Sequence, residues 1–326
     1  MAKVTVLGSG GWGMALSMVA EANGHKVVLW TPFTEERDSL VTNRGNEKLL
    51  AGIRLPENVG ITSDISEAED SLITVIATPS FAVRETAKRL KTVKNHGIVT
   101  CVAKGFEKES LLRLSEVIHE EISDSPIVAL SGPSHAEEVA RGIPTMLAAA
   151  SEDKEAAETV QKAFSNGFMR VYTNDDIIGV ELGGAIKNVL AVAAGVCDGM
   201  GLGDNSKAAL ITRGLVEMSR LGAAMGAKEA TFSGLAGLGD LIVTCTSKHS
   251  RNNRFGNLVG RGVSVEEALA TVGTVEGYYA AKMTIELARK YNVSMPIAEV
   301  CYGVLYENLP LMRTVEYLMT RPFGAE

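Results

Sequence analysis

Much of what marks a secreted, membrane or nucleic-acid-binding chain is scarce in this sequence. Only 4 cysteines occur in 326 residues, and Cys101, Cys197, Cys245 and Cys301 lie far apart, with no Cys-x-x-Cys or Cys/His ligand spacing. That excludes a disulfide framework and offers no metal site; the four read as small buried apolar side chains in a reducing compartment. Basic residues are not in surplus, because 32 Lys and Arg against 39 Asp and Glu leave a net charge of −7. No overall field then draws the chain to phosphate backbones or anionic membranes, so nucleic acid is not an expected partner. An anionic small substrate would need a local basic cluster instead. There is no run of about 18 wholly apolar residues, and the opening MAKVTVLG passes straight into a strand pattern rather than a charged and apolar leader. The expectation is a cytoplasmic protein without membrane insertion. Repeats, low-complexity tracts and long Pro/Ser linkers are missing as well.

What remains is the composition of an ordinary globular protein, 46% hydrophobic and 22% charged. At roughly 150 residues per domain the length suggests two domains. Short β-rich runs start at Val4, Lys26, Leu72, Gly97, Pro126, Thr145 and Met169, several apolar throughout, as in strands covered on both faces. Between them SFAVRETAKRL, ESLLRLSEVIHEE and KEAAETVQKAF carry apolar residues at helical spacing. Beyond about Asp176 the β-rich runs nearly vanish, and IIGVELGGAIKNVLAVAAGV, SKAALITRGLVEMSRLGAAMG, VEGYYAAKMTIELARKY and IAEVCYGVLYEN read as helices. The pattern is α/β: an N-terminal Rossmann-type doubly wound sheet over residues 1–180, then an all-α domain over residues 181–326, with the ligand site expected in the cleft where they meet.

The first chemical signal is G-S-G-G-W-G. Gly8, Gly10 and Gly13 stand in G-x-G-x-x-G spacing directly after the first strand and open a helix. Gly8 permits the tight turn, Gly10 lets the backbone approach a pyrophosphate, and Gly13 allows close helix–strand packing. A tight turn without a ligand is the plainer alternative, yet the position at the head of a βαβ chain favours NAD or NADP. An NAD-binding unit usually carries Asp or Glu at the end of the second strand. Here Trp30 is followed by Thr31-Pro32-Phe33, with Arg37 in the next turn, so the choice of nucleotide stays open.

Four further segments hold polar residues where packing alone would not put them. Lys104 ends a strand at the edge where doubly wound sheets bind ligands, although a strand-end lysine can simply reach solvent. Gly132, Ser134 and His135 follow another strand; Ser134 could face a ligand or merely cap a helix that His135 begins. Lys187 and Asn188 lie in a helix with Gly183 and Gly184, glycines that clear the face on which Lys187 points. A lysine desolvated beside bare backbone is suited to proton transfer, while a surface lysine on a glycine-packed helix is the alternative. Last, Asp240 follows a glycine-rich turn with Thr244 one helical turn on, and Ser250-Arg251-Asn252 stands where a new helix could start. Arginine with free helix N–H groups is an anchor for phosphate, unless the run is only a solvated loop.

Taken in order, GSGGWG, VAKGFE, LSGPSHAEEVA, GGAIKN, GLGDLIVTCTS and HSRNNRFG resemble the NAD(P)-dependent glycerol-3-phosphate dehydrogenases over essentially the whole chain. The resemblance implies interconversion of dihydroxyacetone phosphate and sn-glycerol 3-phosphate, in the bacterial type toward glycerol 3-phosphate for phospholipid synthesis. It implies Lys187 as general acid/base, with Lys104, Asp240 and Thr244 beside it in catalysis. Substrate contacts are implied at Lys104, Gly132, Ser134, Lys187, Asn188, Asp240, Ser250, Arg251 and Asn252. The dinucleotide falls to Gly8, Gly10, Gly11, Trp12, Gly13, Lys104, Ala136, Arg251 and Glu276, and no metal is implied. Members preferring NADPH often carry a basic residue where this chain has Thr31-Pro32-Phe33. The partner expected is a small phosphorylated triose, and a homodimer through the helical domain is the expected assembly. Two competing readings remain: a dehydrogenase of this architecture acting on a carboxylate substrate, and a dinucleotide-sensing protein without turnover.

Overall fold

A computed structural model describes residues 1–322. It divides the chain into two compact units, Met1–Glu181 and a second starting at Leu182.

In the first unit, β1 (Lys3–Leu7), β2 (Lys26–Trp30), β3 (Gly60–Thr62), β4 (Ile73–Ile76), β5 (Ile98–Cys101), β6 (Ile127–Ser131), β7 (Thr145–Ala150) and β8 (Met169–Asn174) form one sheet. Its order is β3-β2-β1-β4-β5-β6-β7-β8. The pairs through β6 are parallel, β7 runs antiparallel to β6, and β8 is parallel to β7. The first six strands thus reproduce the doubly wound dinucleotide-binding order, which binds ligands outside the carboxyl ends of its strands. All four residues of β4 are buried, the mark of a strand covered on both faces. The covers are α1 (Gly11–Ala22), α2 (Thr34–Asn43), α3 (Val83–Leu90), α4 (Leu114–Glu121), α5 (Ala136–Val139) and α6 (Lys154–Phe164). Met14, Leu16, Val160 and Phe164 of α1 and α6 pack with Val4, Val6 and Leu29 in one core cluster. Val83, Leu90, Val117 and Ile118 of α3 and α4 pack with Leu7, Ile76 and Val99 in another.

Two local features differ from the sequence reading. The strand β3 was not legible, because three residues, one exposed and two half-buried, are too short for any period to show. The helix expected from Glu109 begins only at Leu114. Leu111 lies at φ 60°, and the Arg113 N–H donates to Glu116 Oε2 (2.9 Å), so the preceding residues form a turn and the helix starts where that cap is made.

The second unit is helical: most of α7 (Ile177–Gly199), then α8 (Gly203–Ala224), α9 (Glu229–Phe232), α10 (Asp240–Thr246), α11 (Arg251–Gly260), α12 (Val265–Val272), α13 (Glu276–Lys290), α14 (Pro296–Tyr306) and α15 (Leu311–Met319). The unit boundary falls inside α7, after Glu181. α7 is long and apolar enough to cross a membrane, with a mean hydropathy of 1.6, but 89% of that stretch is buried in protein, so it is a core helix. Glycines bring neighbouring backbones against it: a Cβ on Gly195 would overlap the Asn253 carbonyl, one on Gly256 the Val192 carbonyl, and one on Gly277 the Asn188 carbonyl. Each helical glycine costs about 1 kcal/mol relative to alanine. Here the cost is offset by helix contacts that no side chain could share.

Candidate active site

The glycines of the first turn do different work. Gly8 lies at φ +125°, and a Cβ there would stand 2.7 Å from the Ala77 carbonyl carbon, while one on Gly13 would run into the Gly8 carbonyl oxygen. Protein packing therefore demands glycine at both. A Cβ on Gly10 would meet nothing within 4 Å, so what glycine keeps clear there is space outside the protein. Gly10 caps α1 without any side-chain hydrogen bond, leaving the first-turn N–H groups for an anion. Packing against Gly11 brings in Ala136, whose Cβ would lie 3.6 Å from a Cβ at Gly11. Trp12 is part-buried against the adjoining core. Donors, dipole and clearance fit the pyrophosphate of a dinucleotide.

Along the same strand ends, Lys104 follows β5 and reaches the loop after β6. Its Nζ donates to the Gly132 carbonyl oxygen (2.9 Å) and to Ser134 Oγ (2.9 Å). Ser134 Oγ in turn donates to the Gly132 carbonyl (2.9 Å). The structure thus brings Lys104, Gly132 and Ser134 together, and Ser134 is not a helix cap; His135 holds that position at α5. Gly132 sits at φ +135° with Leu147 against it, a backbone conformation that favours glycine.

A second cluster lies in the helical unit. Lys187 on α7 is 5% exposed, Asp240 1% and Thr244 5%. Lys187 Nζ donates to Asp240 Oδ1, making an ion pair, and to Thr244 Oγ1 (2.7 Å). Thr244 Oγ1 donates its own proton back to the Asp240 carbonyl (2.6 Å). The role expected for Gly183 changes. A Cβ there would overlap the Ala236 carbonyl, and one on Gly237 the Phe232 carbonyl. The glycines let the π-helical turn Leu235–Gly239 lie on α7 and deliver Asp240 to Lys187, rather than clearing space for the lysine.

Around that pair, Asn252 Nδ2 donates to Asn188 Oδ1 (2.8 Å) and the Gly277 N–H donates to Asn252 Oδ1 (2.9 Å). These bonds tie α7, α11 and α13 and set Glu276 at the first turn of α13. Ser250 caps α11, its Oγ accepting from the Asn253 N–H (3.2 Å). Arg251, the first residue of that helix, is exposed.

Sequence reasoning missed two supporting groups. Asn253 Nδ2 donates to the Cys245 carbonyl (2.9 Å) and to Asp198 Oδ2 (3.4 Å), and Asp198 pairs with Lys207 (2.6 Å). In the first unit, Glu181 accepts from Arg113 Nη1 (2.6 Å), the Ser115 N–H (2.7 Å) and Ser115 Oγ (2.5 Å). Burial pushes the Glu181 carboxyl above its ordinary range despite these donors. Neither group forms a motif; a spacing of 68 residues between Arg113 and Glu181 leaves no local signal. Burial pushes the Cys101, Cys245 and Cys301 thiols up to about 12, so none of the three is a ready nucleophile. No group of three or more His, Cys, Asp or Glu among the described residues could hold a metal ion.

A parallel sheet in dinucleotide order, a glycine turn open to a pyrophosphate and a buried lysine held by a carboxylate define an NAD(P)-dependent oxidoreductase. Family models described as the N-terminus and C-terminus of NAD-dependent glycerol-3-phosphate dehydrogenase match residues 3–157 and 176–316. The chain belongs to that family. It is 49% identical to the glycerol-3-phosphate dehydrogenase [NAD(P)+] of Fusobacterium nucleatum, covering 98% of this chain and 97% of that one. The enzyme of the same name from Clostridium perfringens is 48% identical, with 98% of each chain covered. Among solved structures, glycerol-3-phosphate dehydrogenase from Coxiella burnetii matches with a TM-score of 0.94 at 38% identity, over 98% of this chain and 99% of that one.

Proposed function

We propose that Lys187 carries the proton in the interconversion of dihydroxyacetone phosphate and sn-glycerol 3-phosphate, the NAD(P)-dependent reaction of the family to which the chain belongs. The observation that carries this reading is the burial of the Lys187 ammonium against Asp240 and Thr244. The bound nicotinamide supplies or accepts the hydride at the substrate C2. In reduction, protonated Lys187 gives its proton to the C2 oxygen; in oxidation, neutral Lys187 removes it. Asp240 holds the ammonium in place, and Thr244, committed as donor to the Asp240 carbonyl, offers Lys187 only its lone pairs. Lys104, with Gly132 and Ser134, lines the substrate and adds positive charge toward the developing alkoxide. Asn188, Ser250, Arg251 and Asn252 anchor the phosphate, by guanidinium, amide and the N-terminus of α11, so that binding energy far from C2 orients the reacting carbon.

On the dinucleotide side the residues are Gly8, Gly10, Gly11, Trp12, Gly13, Lys104, Ala136, Arg251 and Glu276. The reading extends to a dinucleotide-binding domain over residues 1–180, a substrate-binding and catalytic domain over 181–326, and a cytoplasmic homodimer supplying glycerol 3-phosphate for phospholipid synthesis. Met312, Tyr317 and Met319 stand exposed on α15 and support association through the helical unit. The test is loss of reduced-nicotinamide absorbance on adding dihydroxyacetone phosphate, with a 2-oxoacid as control substrate. Turnover of the 2-oxoacid alone would overturn the phosphate anchor.

A further inference from the structure

The sequence places no carboxylate at the end of β2, yet the structure does. The Gly8 N–H donates to the Trp30 carbonyl (2.9 Å), so the residue after β2, Thr31, stands beside the dinucleotide turn. Thr31 is 1% exposed, and its backbone N–H extends the ladder to the Thr62 carbonyl (3.0 Å). Its side chain is therefore fixed, and Thr31 Oγ1 donates to Glu36 Oε2 at 2.6 Å. Glu36 lies in the first turn of α2 and reaches back five residues to that hydroxyl. A carboxylate is thereby held at the edge where a doubly wound sheet meets the ribose of the adenosine half.

We propose that Glu36, positioned by Thr31, sets nucleotide choice in this chain by accepting a hydrogen bond from the adenosine ribose and repelling a 2′-phosphate, so that NADH is bound in preference to NADPH. The inference rests on the dinucleotide site described above. The surrounding charge agrees with it. Glu35 shares the first turn of α2 with Glu36, and Arg37, the adjacent cation, is already in ion-pair contact with Asp38 (2.6 Å). Arg44, at the end of α2, donates to the Pro56 and Val59 carbonyls. A 2′-phosphate arriving here meets carboxylates first and cations already engaged, and like charges close together in a part-buried setting disfavour binding.

The test needs no turnover. The chain has 2 tryptophans, Trp12 in the first turn of α1 and Trp30 at the end of β2, so their fluorescence reports nucleotide binding to the full chain without substrate. Titration with NADH and with NADPH should give a Kd for NADH at least about tenfold lower, the scale of one charge-assisted contact. Glu36→Gln should narrow that ratio by roughly the same factor, mainly by tightening NADPH. Thr31→Val should move the ratio in the same direction, and Thr31→Ser, which keeps the hydroxyl, should restore it. Equal or tighter binding of NADPH by the wild type, or a ratio that Glu36→Gln leaves unchanged, would overturn the proposal. A Thr31→Val ratio equal to wild type would remove the positioning role of Thr31. If neither nucleotide quenches the signal, the dinucleotide site itself fails, and this inference with it.

Discussion

Asp240 holds the Lys187 ammonium by a side-chain ion pair in which neither partner is more than 5% exposed. An ammonium buried to this degree is costly unless a carboxylate and further acceptors surround it. Asp240 and Thr244 fix where the nitrogen sits, so the proton transfer proposed for Lys187 should depend closely on their geometry.

Lys187→Ala should lower kcat by at least about a hundredfold, the usual scale of positioned proton transfer. Asp240→Asn should lower it as well while destabilising the fold, since it leaves the lysine charge buried without its counter-ion. Both effects are read from reduced-nicotinamide oxidation with dihydroxyacetone phosphate, alongside circular dichroism. Near wild-type turnover in folded Lys187→Ala would end the assignment.

Arg251 is exposed at the start of a helix, where substitution leaves the core alone. Losing one charge-assisted contact worth about 1.5 to 3 kcal/mol should raise the KM for dihydroxyacetone phosphate by roughly tenfold to a hundredfold in Arg251→Ala. The value of kcat should fall much less. A KM equal to wild type would put the phosphate elsewhere.

Gly10 and Gly13 belong to one motif but should respond differently to alanine. A methyl at position 10 enters open space, so Gly10→Ala should fold with an unchanged melting temperature and bind NADH more weakly. A methyl at position 13 collides with the Gly8 carbonyl, so Gly13→Ala should lose stability outright, by about 1 to 3 kcal/mol as in other overpacked sites. Thermal melts with and without NADH separate the two. An unstable Gly10→Ala would mean that the clearance serves packing and not a ligand.

The contrast also explains what was legible in the sequence. Repeating patterns announced themselves: seven strands, the long helices, and the spacing of Gly8, Gly10 and Gly13. Short motifs such as GGAIKN and HSRN singled out Lys187, Asn188 and Arg251 as candidates. What stayed hidden was contact between distant segments of ordinary composition. Arg113 with Glu181, Asp198 with Asn253, and the packing role of Gly183 each depend on a fold that brings two unremarkable stretches together. Glu36 was hidden differently. Its backbone lies past the position where an acid is expected, and only the turn into α2 folds the carboxylate back to Thr31.

Glu217 gives the stability of the helical unit a pH dependence. On α8 it borders a largely apolar cavity of about 600 Å³ among α7, α8, α14 and α15. Its carboxyl accepts from the Ile297 N–H (2.8 Å) and the Ala298 N–H (3.3 Å) at the start of α14. Burial pushes its pKa from 4.5 to about 7; the nearby Glu299 charge adds to that, while the two N–H groups and Arg220 oppose it. The native state then holds this proton more tightly than the unfolded chain does. Stability from this group is complete below about pH 4.5 and is lost as pH rises through 7, by about 3 kcal/mol in all. Glu217→Gln, which keeps a neutral side chain of the same shape, should therefore melt higher than wild type above pH 7. The gap should close or reverse below pH 5. Melting temperatures measured from pH 4 to 8 decide the matter, because a difference between the two proteins that does not move with pH would mean that Glu217 stays ionised in its pocket.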